Sequence, residues 1–288
     1  MKAKNREVSA ATGAKTEQIA HYYDANTRNF LRFGGAADTG AIHRAIWAPG
    51  IDNREDAFLY LNRLISHAIK PLLGAVPQET HLIDLGCGVG GTAKFIANEL
   101  GIRVTGISIS ATQIEIAKQR IQDSPLQERI DFVCADFDSL PNLGQADALC
   151  AIESFVHCRD ATKFFSQAAA ALRPKGRLIV CDDFLGDSVP KQGLRCVAKF
   201  KKGWQLNSLL TRGEVERLAL EHGLRLVQSH SLTEYLRGFP SAVRWAVSAI
   251  CSIPLPWAYW QNLAGGTALQ LCVKRRWTQY QAFVWEKI

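Results

Sequence analysis

The stretch LIDLGCGVGG, residues 82–91, decides the fold, because four residues of strand character lead directly into four glycines. The apolar residues that follow, over positions 91–100, recur with helical spacing. Glycine lets the backbone turn sharply and approach a ligand closely, because it has no Cβ atom. A buried strand, a glycine turn and a helix in this order are typical of the first unit of a parallel α/β sheet. The sequence therefore predicts a ligand site at this turn.

The alternation of strand and helix continues beyond the glycine turn. Helices are predicted at 91–100, 111–122 and 161–172, and strands at 81–85, 104–108, 130–133, 148–153 and 177–181. A further helix starts at a Thr211–Glu214 capping box, and two later strands are predicted at 224–230 and 278–286. Parallel neighbours need a covering connection, so the pattern indicates an α/β, doubly wound, mostly parallel sheet. Ligands of such sheets bind beyond the C-terminal ends of the strands.

The composition is that of a folded globular protein. Of 288 residues, 47% are hydrophobic and 21% are charged, which excludes disordered, collagen-like and coiled-coil classes. The net charge of +7 allows an anionic partner, but no nucleic-acid-binding module accompanies it, and no nucleic acid is expected. The eight cysteines form no CxxC pair, so neither a metal site nor a disulfide framework is predicted. The polar N-terminus lacks the apolar region of a secretion signal, which predicts a cytoplasmic protein.

The glycine turn also satisfies the GxGxxG spacing of dinucleotide-binding proteins, at Gly86, Gly88 and Gly91. A dinucleotide site has an acidic residue about twenty positions further on, at the end of the second strand, which binds a ribose hydroxyl. The second strand ends in Ser108 instead. A nicotinamide-dependent oxidoreductase therefore stays an alternative with less support, as does a cofactor-binding protein without catalysis.

Three motifs together identify a family resemblance. Asp84 precedes the glycines, CADF at 134–137 follows the third strand, and LRPKGRL at 172–178 precedes the fifth. This combination resembles the class I S-adenosylmethionine-dependent methyltransferases, in the small-molecule branch of sterol, tocopherol and prenyl carbon methyltransferases. Lys175 departs from the usual glycine, and Ser108 replaces the usual acid, as it often does in that branch.

The resemblance implies a Rossmann-like, seven-stranded sheet, S-adenosyl-L-methionine as cofactor, and a division of the chain. A flexible tail is expected at 1–18, an N-terminal helical lid at 19–75, and the methyltransferase domain at 76–288, with acceptor-binding inserts at about 186–210 and 238–266. The residues expected at the cofactor are Tyr22, Asp84, Gly86, Cys87, Gly88, Gly90, Ser108, Ile109, Gln113, Asp136, Phe137 and Glu153.

Catalytic candidates follow the fourth and fifth strands, where Glu153, His157 and Asp183 lie at the edge expected to face the cofactor methyl. For carbon methylation of an isoprenoid-like acceptor, the favoured expectation, Glu153 stabilises the cation that forms and His157 removes the final proton. For methylation of oxygen or nitrogen in a natural product, His157 acts as general base with Asp183 as its partner. The sequence leaves both alternatives open.

The acceptor is expected to be lipophilic, because no charged residue occurs between Arg244 and Lys274 in a stretch rich in tryptophan. Pro254 and Pro256 interrupt the apolar run that a membrane-spanning helix requires, which favours a lid or an interfacial segment. Peripheral membrane contact and a homo-oligomer are compatible with this pattern. The basic cluster at 191–202, in the first insert, is compatible with an acceptor that has a phosphate or other anionic end. The residues expected at the acceptor are Tyr23, Phe155, Lys199, Trp204 and Trp245.

Overall fold

The computed structural model describes residues 19–20, 23–24, 27, 39–240 and 258–288, with only the backbone described at 258 and 259. The strands are β1 (His81–Leu85), β2 (Arg103–Ser108), β3 (Ile130–Cys134), β4 (Ala146–Ile152), β5 (Leu172–Leu185), β6 (Leu224–Ser231) and β7 (Thr278–Lys287). The helices are α1 (Arg54–Ile69), α2 (Gly91–Leu100), α3 (Ala111–Ile121), α4 (Ala161–Ala171), α5 (Lys191–Trp204), α6 (Arg212–Glu221) and α7 (Ala258–Lys274).

The seven strands form one sheet in the order β3-β2-β1-β4-β5-β7-β6. Strands β1 to β5 pair in parallel, and β7 runs antiparallel between β5 and β6. The chain order reverses between β1 and β4, and at such a reversal the turns that follow the two strands diverge and leave a crevice. The predicted α/β sheet with seven mostly parallel strands is confirmed, and its crevice opens beside the glycine turn.

Helices cover both faces of the sheet. All five residues of β1 are buried, and alternate ones face opposite layers: Leu82 packs with residues of α1 and α2, and Ile83 with residues of α4 and α6. Strands covered on both faces read as continuous apolar runs rather than as alternating ones. Full burial of each such side chain stabilises the fold by about 1.5–3 kcal/mol. The segment LIDL is therefore apolar on both sides except at Asp84.

Several local predictions agree with the structure. Helix α2 has the predicted bounds, and Thr211 and Glu214 form the reciprocal capping box that starts α6. Strand β5 is longer than predicted because its residues 177–185 pair with β7 along their whole length. In the N-terminal region, positions 19, 20, 23, 24 and 27 are helical, 39–53 contain no helix, and α1 follows at Arg54–Ile69.

The insert at 186–210 contains helix α5. Val197 and Phe200 of α5 are buried against α7, while Lys191, Lys199 and Lys202 are exposed. The two helices approach so closely that a Cβ atom on Gly203 would lie 2.6 Å from Cα of Gly265. In the second insert, α7 begins at Ala258, and positions 241–257 lie outside the described residues. No helix among the described residues is long and apolar enough to cross a membrane.

Candidate active site

A cavity opens over the C-terminal ends of β1, β2 and β4. Its floor is the glycine turn, and its walls come from the turns after β2, β3 and β4 and from Asp182 and Asp183 of β5. Residues 40–44 line the opposite side, together with Ile19 and Tyr23 from the N-terminal region. Trp204 of α5 and Asn262 of α7 complete the lining. The cavity therefore lies where the parallel sheet predicts a ligand.

The glycine turn adopts a conformation that other residues rarely adopt. Gly86, Gly88 and Gly90 have φ angles of 82°, 55° and 79°, in the left-handed region. A Cβ atom on Gly86 would lie 2.4 Å from Cβ of Ser154, and one on Gly88 would lie 3.3 Å from Cδ1 of Ile42. The turn is a cradle that a side chain would fill, so ligand atoms can approach its backbone.

Asp84 lies at the base of the cavity with its side chain almost fully buried, at 2% exposure. The Cys150 thiol donates a hydrogen bond to Oδ1, at 3.5 Å, while Oδ2 has no hydrogen-bond partner. Burial raises the pKa of Asp84 to about 7. An orphaned carboxylate oxygen beside a glycine cradle fits a ligand with a cationic donor. Cys87 also lines the cavity, and burial raises the pKa of its thiol, so it is a poor nucleophile.

The turn after β2 connects to the N-terminal region through hydrogen bonds. Ser108 Oγ donates to Gln113 Oε1 at 2.7 Å, and Gln113 Nε2 donates to Thr27 Oγ1 at 3.1 Å. Ser110 caps α3 and donates a hydrogen bond to Asp24. Ile109 lines the cavity beside them. The predicted ribose-binding positions therefore lie in the cavity wall and also hold the N-terminal segment.

The turn after β3 contains Asp136 and Phe137, two of the residues expected at the cofactor. Asp136 Oδ1 accepts from the backbone N–H of Asp138, and its Oδ2 pairs with Arg159 at 2.7 Å. Arg159 also pairs with Asp138, at 2.6 Å. Asp136, Phe137 and Arg159 all line the cavity. Arg159 is thus a lining residue that the sequence analysis did not single out.

His157 has a defined tautomer in this structure. Its Nδ1 lies 3.3 Å from the carbonyl oxygen of Gln205, and its Nε2 lies 2.8 Å from the hydroxyl of Tyr23. A carbonyl oxygen only accepts, so Nδ1 carries the proton and Nε2 accepts from Tyr23. Burial lowers the pKa of His157 to about 4, which keeps the ring neutral at pH 7. His157 therefore presents a lone pair toward the cavity that it lines.

Arg44 is the main site residue that the sequence analysis missed. Its Nε and backbone N–H donate to Glu153 Oε1 at 3.0 and 2.9 Å, and its guanidinium contacts both oxygens of Asp183 at 3.2 and 2.7 Å. The guanidinium also lies 4.0 Å from the ring centre of Tyr280, whose hydroxyl donates to Glu153. Asp183 is therefore the partner of Arg44, and the expected pairing of Asp183 with His157 is wrong.

The electrostatics of this cluster follow from burial and pairing. Burial alone raises the pKa of Glu153, but Arg44 and His43 outweigh it and lower that pKa. Burial also opposes the charge of Arg44, yet Asp183 and Glu153 raise its pKa further. Glu153 has a φ angle of 48°, a strained value for a residue with a side chain. A carboxylate pair with a fully charged arginine between its members thus lies at the cavity wall.

The remaining predicted residues have different positions. Trp204 lines the cavity, with its indole N–H donating to the carbonyl oxygen of Asn262 at 3.1 Å. Phe155 does not line it, because its ring is fully buried in the core among Phe164, Phe165 and Phe184. Lys199 is exposed on α5, away from the lining, because the opposite face of that helix packs on α7. Tyr22 and Trp245 lie outside the described residues.

Comparison with known proteins places this site in a family. A methyltransferase domain model matches residues 83–180. Methyltransferase GfsG of Streptomyces halstedii is 31% identical over 233 residues, which cover 80% of this chain and 81% of that protein. An O-methyltransferase of Pyrenophora dematioidea is 30% identical over 199 residues, which cover 69% of this chain and 73% of that protein.

A solved structure shares the fold. Geranyl diphosphate C-methyltransferase from Streptomyces coelicolor A3(2) superposes with a TM-score of 0.68 at 17% identity, covering 95% of this chain and 98% of that one. The chain belongs to the class I S-adenosylmethionine-dependent methyltransferases. It is therefore an enzyme of that type with S-adenosylmethionine as cofactor, and both sequence predictions are confirmed.

Proposed function

We propose that this enzyme methylates a hydroxyl oxygen of an apolar small molecule, with His157 as the general base. The observation that carries the proposal is the orientation of the His157 ring, whose Nδ1–H is held by the Gln205 carbonyl while Nε2 accepts a hydrogen bond within the cavity. A hydroxyl acceptor must lose its proton as its oxygen is methylated, and an unprotonated imidazole nitrogen can accept it. Because burial lowers the pKa of His157 to about 4, this nitrogen is a weaker base than a free imidazole, and proton transfer relies on the acidity that the acceptor oxygen gains as the methyl group bonds to it.

The chain's own residues supply the remaining requirements. When bound, S-adenosylmethionine supplies a methyl group on a positively charged sulfur. We infer that the glycine cradle and Asp84 Oδ2 hold its amino-acid end, and that Ser108, Gln113 and Asp136 hold its ribose and adenine. In this structure the Tyr23 hydroxyl donates a hydrogen bond to His157 Nε2. The hydroxyl of the methyl acceptor must therefore displace Tyr23 before its proton can move to His157.

The chemistry of the lining supports an apolar, uncharged acceptor. Ile19 of the N-terminal region, Val156 beside His157 in the chain and Trp204 of α5 supply apolar side chains to the cavity lining. The lysine and arginine side chains among the described lining residues are those of Arg44 and Arg159, and both are paired with carboxylates. An anionic end on the acceptor is therefore not required. The O-methyltransferase relative points to the same reaction.

The test is the variant His157→Asn, assayed with labelled S-adenosylmethionine and a library of apolar hydroxyl compounds, with mass spectrometry of the products. We expect turnover to fall by about 10²- to 10⁴-fold, the usual contribution of a general base. Calorimetry should show unchanged binding of S-adenosylhomocysteine. His67→Asn is the matched control, because His67 Nδ1 also contacts a backbone carbonyl but its ring is exposed on α1. Full turnover by His157→Asn would contradict the proposal.

Carbon methylation is the second candidate, favoured by one feature of Glu153. Its Oε1 takes three donors, from the Arg44 backbone and side chain and from Tyr280, while Oε2 has no donor among the described residues. Oε2 is thus the atom that would stabilise a carbocation. If the enzyme methylates carbon, the Glu153→Gln variant should lose turnover, and NMR of the product should show a methyl group bound to carbon. An oxygen-bound methyl together with an active Glu153→Gln enzyme would exclude it.

A further inference from the structure

Cys196 of α5 and Cys272 of α7 are two thiols that the proposed reaction does not use. The Cys272 thiol donates a hydrogen bond to the sulfur of Cys196, and the Cys196 thiol donates to the carbonyl oxygen of Ala268 at 3.4 Å. Both side chains belong to the apolar cluster between the two helices. The cysteines among the described residues are free thiols, so this pair is in contact but not bonded.

The register of the two helices brings these thiols together. Cys196 precedes Gly203 by seven positions on α5, and Cys272 follows Gly265 by seven on α7, which is about two helical turns in each case. A Cβ atom on Gly203 would lie 2.6 Å from Cα of Gly265, so the two backbones are close at the glycine pair. A disulfide needs Cα atoms less than about 7 Å apart and side chains that point toward each other. The glycine contact favours the first condition, and the thiol contact meets the second.

The two thiols differ in reactivity. The hydrogen bond from Cys272 and the charge of Lys199 lower the pKa of Cys196, although burial opposes them. The hydrogen bond to Cys196 and burial raise the pKa of Cys272, which is fully buried. Cys196 is half-buried and remains in contact with solvent. Because the thiolate is the nucleophilic form of cysteine, Cys196 is the attacking thiol of the pair.

We propose that Cys196 and Cys272 form a modification site at which hydrogen peroxide converts two thiols into a reversible disulfide between α5 and α7. The Cys196 sulfur attacks one peroxide oxygen, the O–O bond breaks, and Cys196 becomes a sulfenic acid while one water leaves. The Cys272 sulfur then attacks the Cys196 sulfur, and an S–S bond replaces the S–O bond. The Cys272 proton leaves with the hydroxyl group as the second water. Two thiols and one peroxide thus give one disulfide and two waters.

This disulfide joins two helices that line the cavity. Trp204 of α5 and Asn262 of α7 are both lining residues, and the Trp204 indole N–H already donates to the Asn262 carbonyl oxygen. A bond between positions 196 and 272 also closes a long loop, which restricts the unfolded chain more than the folded one. We expect the oxidised enzyme to melt several degrees higher than the reduced enzyme, and dithiothreitol to reverse the change.

The experiment treats the reduced enzyme with hydrogen peroxide, alkylates the remaining thiols and maps the tryptic peptides by mass spectrometry. We expect the Cys196 and Cys272 peptides to be joined, with a mass about 2 Da below that of the two reduced peptides, for the two hydrogen atoms lost. Fragmentation distinguishes Cys272 from Cys251, because both lie on the tryptic peptide 245–274. Dithiothreitol should restore both thiols.

Variants assign the two roles. Cys272→Ser should leave Cys196 as a sulfenic acid that dimedone traps, and Cys196→Ser should leave Cys272 reduced. Cys134→Ser is the matched control, because Cys134 is exposed and also donates to a backbone carbonyl, and it should form the disulfide at the wild-type rate. Lys199→Gln should slow disulfide formation by about 2- to 5-fold at pH 7, since it raises the pKa of Cys196. Lys191→Gln, at the exposed start of the same helix, should not slow it.

Three results would overturn the inference. The first is oxidation of Cys134 while Cys196 and Cys272 both stay reduced, and the second is a disulfide between Cys196 and Cys251. The third is an oxidised mass that persists after dithiothreitol, because a sulfinic acid resists that reductant and a disulfide does not. Thermal unfolding of each variant checks that it folds. The readout is the state of the thiols and not turnover, so failure of the O-methylation proposal would leave this one standing.

Discussion

Asp84 makes the stability of the cofactor-free enzyme depend on pH. Its pKa is about 7 in the folded chain, compared with the ordinary value of 3.8 in the unfolded chain. At pH values between the two, the folded state keeps a proton that the unfolded state has released. Between these values stability falls as pH rises, and above about pH 7 the full penalty applies, at most about 4 kcal/mol. Asp84→Asn removes the penalty. We expect its melting temperature to exceed that of the wild type more at pH 8 than at pH 5.

The comparison with wild type isolates Asp84, because all other titrating groups are common to both proteins. An Asp84→Asn advantage that is the same at pH 5 and pH 8 would contradict the raised pKa. The variant should also bind S-adenosylhomocysteine more weakly, since a neutral amide replaces the carboxylate that faces the cationic donor. The same substitution therefore gains stability and loses ligand affinity, a combination typical of a functional residue.

Single residues differ in how far the sequence could predict them. Asp84 was predictable because its position depends on local signals, a strand followed by glycines. Arg44 was not, because its two carboxylate partners lie 109 and 139 positions away in the chain. The pairing of Asp183 with His157 was predicted because the ends of adjacent strands share one edge of the sheet. It is wrong because the sequence does not show that Arg44, which is distant in the chain, contacts Asp183.

At the scale of elements, helices α5 and α7 depend on contact between glycines. A Cβ atom on Gly265 would lie 2.9 Å from Cα of Gly203 and 2.7 Å from Cδ1 of Trp204, so Gly265→Ala must push the helices apart. We expect a loss of about 1–3 kcal/mol in the free energy of unfolding, measured with urea. The shift of Trp204 should also raise the KM for the acceptor, because that ring lines the cavity.

Gly266→Ala is the control on the same helix. Among the described residues, a Cβ atom there would meet the ring of Trp204, at 3.9 Å, which is ordinary contact. Alanine has the higher helix propensity, so this variant should be neutral or up to about 1 kcal/mol more stable. Equal destabilisation by both variants would mean that the glycine contact does not control the packing.

Helix α5 also shows why one element escaped the sequence analysis. Its basic residues form the cluster at 191–202, and its buried side has Val197 and Phe200 as its large apolar residues. The partner that completes this side, α7, lies more than fifty positions further along the chain. The predicted Lys199 contact failed for the same reason, since packing of Phe200 on α7 turns Lys199 toward solvent.

In the whole molecule, hydrogen bonds and ion pairs with residues far away in the sequence hold the described N-terminal residues against the sheet. Tyr23 contacts His157 after β4, and Asp24 contacts Ser110 after β2. Arg44 contacts Glu153 after β4 and Asp183 within β5. The strand order and the position of the cavity follow from the repeated pattern of strands and helices. The attachment of the described residues within 19–44 does not follow from that pattern, because each contact is made by a single side chain that carries no periodic signal.

Arg44→Gln tests this attachment. It leaves Glu153 and Asp183 without their buried cation, and removing one member of a buried pair costs about 3–5 kcal/mol. Without Arg44, burial raises the pKa values of both carboxyl groups above those of the unfolded chain, so the loss should be smaller at pH 5 than at pH 8. Urea unfolding at both pH values measures the difference.

Arg276→Gln is the control, because its pair with Glu234 is exposed at 63% on each side and should contribute at most about 1 kcal/mol at either pH. A loss for Arg44→Gln no larger than that of Arg276→Gln would show that the N-terminal region is held by other contacts.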